Sequence, residues 1–305
     1  MLGPVAAAGR CGLAEQDPAE LGPQVLAAWD AFLDVARAAD LSRPSRLAGW
    51  TGRDTCVHLG AWDDSQVLEG VLASARTGDL SEPAPPDAQN DVLVRAHAGA
   101  SDAEVLAALE RARERVARFF AEEAQEAGRL LSRSSVGPLP VLSLVHAGTY
   151  ELAVHALDLA PCGAPPPADV LLDRGLAALI DVTGALSARA GVDIALTAMT
   201  PAGGWRFTSR DAGWTTERAT AGQSVGVGVR GSAADLLDAS AGRAALPHLL
   251  LTRRLTVQQL PQWMRLAPLL DDVPGLPGGA ALKAGVTGLS SVVGGVGKVL
   301  GRFRR

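Results

Sequence analysis

Glu151 and His155 stand four residues apart in the apolar run GTYELAVHALDLA, residues 148–160. On an α-helix that spacing amounts to about 40° of rotation, so the two side chains share a face and one ion can bridge them. Polar groups on the buried side of a helix cost about 2 kcal/mol or more unless they are paired or coordinated. A third ligand must come from another element. His58 is the best placed, because Val57 and Leu59 flank it and Trp62 follows one turn later, an inward-looking neighbourhood. Two imidazoles and one carboxylate leave coordination positions open on a divalent ion, the arrangement of a catalytic rather than a closed structural site. The competing reading is that each residue is satisfied separately, since a lone histidine in a helix is commonly hydrogen-bonded and Glu-x-x-x-His pairs arise by chance.

The other titratable residues narrow the constellation. His146 falls about 180° round the helix from His155 and faces away from that ion. His97 precedes a later helix and His248 lies in the second half of the chain; all three read as structural or surface residues. Asp158, one turn after His155, is placed to orient an imidazole by a hydrogen bond, or else to stand as a solvated acid near a helix end. Cys11, Cys56 and Cys162 show no CxxC spacing, so neither a disulfide framework nor a cysteine zinc site is implied, and a reducing cytoplasm fits them. Cys56 is two residues from His58, on the opposite side of its helix, which suits a buried structural thiol.

The 305 residues suggest two domains, and 48% hydrophobic content is ample for their cores. With 20% charged residues and a net charge of −5, nothing points to nucleic acid or an anionic membrane. Small molecules or proteins are the expected partners. The N-terminal MLGPVAAAGRCG does not read as a secretory signal, and no run approaches the roughly 20 apolar residues of a membrane span. A soluble, cytoplasmic protein is expected.

After an N-terminal extension over 1–20, apolar residues recur at helical spacing from 21 to 40, with Val25, Trp29, Phe32, Leu33, Val35 and Ala36 as the buried stripe. A second helix is predicted from Thr51, capped with Asp54, to a stop at Gly78. DLSEPAPPDAQN then reads as a connection, a third helix spans 101–127, and a fourth begins after Pro138 or Pro140 and carries Glu151 and His155. Four such stripes predict an α-helical four-helix bundle over 21–160. APCGAPPPAD marks a boundary. Beyond it, over 168–272, a further helix, period-two runs (DIALTAM, GWRFTS, GWTTERA, SVGVGVRG), the helix SAADLLDASAG, a short strand at RRLTV and a helix near 259–271 predict a smaller α+β domain. Residues 273–305 form a Gly-rich tail ending in arginines, read as disordered.

LAGWTGRDTCVHLGAW and ELAVHALDL together resemble the signatures of the mycothiol-dependent maleylpyruvate isomerase family, and VGVRGSAADLLDASAGR is similar to its C-terminal segment. The resemblance implies a DinB-like four-helix bundle holding a divalent metal, usually zinc. Carried over by position, its ligands are His58, Glu151 and His155, the three that geometry also selects. It implies mycothiol as the thiol cosubstrate and a small electrophile as its partner, in an isomerase or S-transferase reaction. An arginine of the second domain supports substrate binding in the family; Arg206, Arg230 and Arg243 are the candidates here. Tyr150 stands where relatives often have arginine.

Two rival functions are compatible with the same residues. One is a metal bundle that binds or senses a ligand without turnover. The other takes the second domain, whose helix and strand order is sterol-carrier-like, together with the basic tail, as a lipid-binding or membrane-associated device. The tail's many glycines weaken any isolated helix there, which disfavours membrane contact.

Overall fold

The computed structural model describes residues 3–60, 67–81, 83, 86–263 and 265–266. Trp62, the residues after 266 and with them the Gly-rich tail lie outside these described residues.

Helix α1, Pro18–Ala38, starts where Asp17 accepts a hydrogen bond from the Ala19 amide and Pro18 fills a first-turn position that needs no N–H. Its buried stripe is the predicted one, Val25, Trp29, Phe32, Leu33, Val35 and Ala36. Helix α2, Gly52–Leu59, opens with the expected capping box of Thr51 and Asp54. It does not run on to Gly78. Gly60 takes extended backbone (φ −73°, ψ 147°), which ends the helical ladder, and α3 forms separately over Val67–Thr77. The proline-rich connection is likewise shorter than expected, because Pro86 begins α4, Pro86–Ala96.

Helix α5, Asp102–Arg118, is capped by Ser101 with Glu104. A π-helical turn, Phe119–Glu123, and α6, Ala124–Ala127, complete the span expected as one helix. Strands β1, Leu131–Ser132, and β2, Leu139–Pro140, pair antiparallel and deliver the chain into α7, Val141–Asp158. Helices α1, α2, α5 and α7 pack around one core containing Phe32, Leu109, Phe119 and Leu152, each fully buried.

After a 3-10 turn at Ala160–Cys162, helix α8, Asp169–Arg189, leads into a sheet. Its strands are β3, Ile194–Thr200; β4, Gly203–Arg210; β5, Gly213–Ala219; β6, Gly228–Arg230; and β7, Thr256–Gln258. Helices α9, Ala233–Ser240, and α10, Leu246–Leu251, intervene before β7, and α11, Leu260–Trp263, follows it. The strand order is β5-β4-β3-β6-β7, with β3 and β6 parallel and the other neighbours antiparallel. SVGVGVRG yields only three strand residues, and α10 has no counterpart in the sequence reading. A helix-rich first part thus precedes a sheet-containing second part. Leu176, Ala177 and Ile180 of α8 meet Leu196, Ala198, Trp205 and Phe207 on one sheet face.

The two parts are joined along α7 and α8. Their crossing is close because Gly175 leaves room for Ala153: a Cβ at 175 would overlap that methyl. Beside it, the buried Asp181 carboxylate accepts from the Leu13 amide (2.9 Å), Trp214 Nε1 (2.9 Å), Thr216 Oγ1 (2.7 Å) and Ser143 Oγ (3.3 Å). Burial raises the Asp181 carboxyl, and these donors only partly offset it. One carboxylate therefore ties the N-terminal segment, α7 and β5 to α8. Asp181→Ala leaves those donors unanswered and is expected to lower unfolding stability by about 3 kcal/mol, whereas Asp181→Asn, which keeps an acceptor and sheds the buried charge, loses under about 1 kcal/mol. Urea denaturation of the two variants checks the contrast; equal losses would contradict it.

Candidate metal centre

Helix α7 brings Glu151 and His155 one above the other, and α2 presents His58 against them. One ligand atom from each of the three lies within 4.8 Å of the other two. His155 Nε2 is 3.4 Å and His58 Nε2 is 3.8 Å from the same oxygen, Glu151 Oε2. Ligands of a tetrahedral zinc at about 2.0–2.1 Å stand about 3.3 Å from one another, so this spacing suits a shared divalent ion with little rearrangement. The imidazoles meet edge to face with centroids 5.1 Å apart, and Trp50 lies beside His58 at 5.7 Å.

The donor chemistry fits a cation. His58 Nδ1 is buried without a hydrogen-bond partner among the described residues, while its Nε2 is turned to Glu151 Oε2 at 3.8 Å, beyond hydrogen-bond length. Burial alone would depress the His155 imidazolium, but the carboxylates of Asp158 and Glu151 outweigh it and raise it to about 9. Burial likewise opposes ionisation of Glu151, yet His155 and His58 hold its carboxyl far below the usual range. His155 is 7% exposed and Glu151 49%, which places the carboxylate at the open side of the cluster. The group is arranged to surround positive charge.

Asp158 is the support behind it. Its side chain has no solvent exposure, and Oδ2 lies 3.0 Å from His155 Nδ1, which turns Nε2 toward Glu151. Arg243 donates to both Asp158 oxygens, from Nε at 3.0 Å to Oδ1 and from Nη2 at 3.1 Å to Oδ2. Arg46 adds Nε at 3.7 Å and reaches Asp238 of α9 at 2.8 Å. Burial would raise the Asp158 carboxyl, but His155 and Arg243 prevail and lower it. Tyr150, half-buried next to Glu151, shares a hydrogen bond with Ser240 of α9 at 3.2 Å. The helical part and the sheet-containing part therefore meet at this cluster.

Of the three arginines put forward from the sequence, only Arg243 reaches the cluster. Arg206 faces Glu217 on β5, and Arg230 donates to the Gln223 carbonyl. The register places both on the sheet face opposite α8, away from α7. Arg46 is not singled out by the sequence, and Trp50 and Asp238, though within the quoted signatures, are given no role there, because a loop and a helix with no chemical spacing of their own supply them. His146 is buried with neither ring nitrogen bonded among the described residues, and burial beside Arg174 lowers it to about 3, so it is a neutral core residue. Asp54 is a helix cap.

All three cysteines are free and buried. Burial pushes the Cys56 thiol up to about 12. Burial and the neighbouring Glu15 carboxylate do the same for Cys11, and burial also raises Cys162. None is a ready nucleophile at neutral pH. The folded protein at pH 8 is expected to react with fewer than about 0.1 equivalents of a thiol reagent in minutes, and with three after unfolding; rapid labelling of Cys56 in the folded state would contradict this.

The family described as the mycothiol maleylpyruvate isomerase N-terminal domain matches residues 23–160. No curated protein sequence gives a significant match. Among solved structures, the crystal structure of the mycothiol-dependent maleylpyruvate isomerase is similar in fold, with a TM-score of 0.51 at 19% identity over 76% of this chain and 92% of that one. A histidine-to-alanine mutant of that enzyme gives 0.50 at 18% identity with the same coverage. The family match covers both elements that carry the cluster, α2 and α7. Residues 23–160 therefore belong to the mycothiol maleylpyruvate isomerase N-terminal domain family.

Proposed function

We propose that this chain is a divalent-metal enzyme that uses mycothiol on a small electrophile, as an isomerase or thiol transferase. The observation that carries the reading is the convergence of His58, Glu151 and His155 on one point, with Asp158 fixing the His155 ring behind it. Zinc suits two imidazoles and a carboxylate best. A bound ion of this kind lowers the pKa of a thiol or water placed in its open positions.

The chain's own residues do the rest. His58, Glu151 and His155 hold the ion. With an ion held there, Asp158 would keep one proton on His155 Nδ1 and leave Nε2 as the ligand atom. Arg243 and Arg46 neutralise Asp158 and so hold it in place behind His155. With Cys11, Cys56 and Cys162 buried and held protonated, the attacking sulfur must come from a separate molecule. That requirement is what favours a low-molecular-weight thiol over a protein nucleophile. In this reading residues 21–160 form a DinB-like four-helix bundle and 168–272 a sterol-carrier-like α+β domain, and the protein acts in the cytoplasm. No helix among the described residues is long and apolar enough to cross a membrane.

Turnover of maleylpyruvate or a model electrophile is expected to require both metal and mycothiol, and to fall at least about a hundredfold in His58→Ala. Asp158→Asn is expected to weaken metal binding about tenfold to a hundredfold, measured by competition with a chromogenic chelator. Thiol-independent turnover, or full activity in His58→Ala, would contradict the reading; stoichiometric metal without turnover would favour a non-catalytic binding module.

A further inference from the structure

Arg206 and Arg230, which the metal cluster does not use, share a different surface. Across the sheet Thr197, Arg206 and Glu217 are in register, as are Met199 and Arg230, whereas the intervening Leu196, Ala198 and Phe207 belong to the core packed on α8. Period-two geometry puts Arg206 and Arg230 on the sheet face opposite α8. A cavity of about 490 Å³ opens on that face. Its volume lies in the range of small-molecule sites.

The charges of this cavity are incompletely answered from within the protein. Arg206 Nε is buried without an acceptor among the described residues, and its guanidinium meets Glu217 only at 3.9 Å. A guanidinium presents five donors in a fixed fork, so most of its capacity is left for something else. Arg265, across the cavity, is exposed and makes no ion pair among the described residues. Arg218 also borders the space, but it is engaged with both oxygens of Asp173 at 2.6 Å and lies over the Trp205 ring.

The Asp193 carboxylate and polar neutral groups complete the wall. Thr197, Gln223, Ser224 and Gln262 offer hydroxyl and amide groups. Arg230 donates to the Gln223 carbonyl at 2.8 Å and so fixes one side of the cavity. Gln259, also on the wall, is held at φ 54°, a left-handed conformation that a non-glycine residue rarely takes. Two arginines with unused donors, set beside the Asp193 and Glu217 carboxylates and among amides and hydroxyls, match an anion that also carries several hydroxyl groups for the carboxylates and amides to bind.

We propose that this cavity is a second binding site, separate from the metal cluster, for a small polyhydroxylated anion of sugar-phosphate size. Arg206 and Arg265 take the anionic group, and Thr197, Gln223, Ser224 and Gln262 take the hydroxyls. The proposal does not depend on the metal reading.

Calorimetric titration of the full chain with glucose 6-phosphate, inorganic phosphate and glucose tests it. Glucose 6-phosphate is expected to bind the parent protein and His58→Ala equally, more tightly than phosphate, with glucose the weakest of the three. Arg206→Gln is expected to weaken it roughly tenfold or more, the loss of charged hydrogen bonds, and Glu217→Gln to tighten it a few fold. If Arg206→Gln fails to fold by circular dichroism, Arg265→Gln and Glu217→Gln carry the comparison. No saturable binding, binding unchanged in the arginine variant that folds, no preference over inorganic phosphate, or loss in His58→Ala would each overturn the proposal.

Discussion

Asp158 carries one full charge with no exposure to water, and everything around it follows from answering that charge. A bare carboxylate so placed would be driven to protonate, since burial disfavours the ionised form. Here one imidazole and two guanidinium groups surround it. The imidazole belongs to α7, one guanidinium to the segment before α2 and the other to the segment after α9. Meeting the charge therefore fixes the joint between the helical and sheet-containing parts. The same bond fixes which nitrogen of His155 looks toward Glu151 and His58, so the ligand cluster and the joint share one support.

Two buried carboxylates thus divide the joint between them. Asp181 collects neutral donors only, and burial leaves its carboxyl raised. Asp158 collects cations, which hold its carboxyl down. The first is a structural tie, in which hydrogen bonds alone secure four segments. The second is electrostatically active and lies one hydrogen bond from the ligand cluster. Charge rather than burial separates a site from a strut in this protein.

Much of the fold was legible because its signals are local. The Thr51–Asp54 cap and the apolar stripe of α1 need only neighbours in sequence, and both stand as read. The grouping of His58 with Glu151 and His155 was also legible, because helical geometry puts two of them on one face and polar residues on inward faces need partners. What escaped depends on tertiary packing. Nothing local announces that Gly60 adopts extended backbone and divides the second helix, and the run of prolines over 83–86 does not by itself show that the last of them starts a helix as Pro18 does. That Arg243 reaches the cluster while Arg206 and Arg230 do not depends on α9 docking on α7 while β4 and β6 turn those two to the far face of the sheet. Arg46 is placed by a loop whose course is set by backbone bonds such as Arg46 N–H to the Asp158 carbonyl.

In the proposed metal centre two histidines and one glutamate hold a divalent ion in an open site while the protein's own thiols stay out of it. X-ray absorption at the zinc edge of the purified protein tests this most directly. A first shell of nitrogen and oxygen at about 2.0–2.1 Å, with the outer-shell scattering of two imidazoles, is expected. A sulfur shell at about 2.3 Å in the protein without added thiol, a single imidazole, or the absence of stoichiometric metal would contradict it.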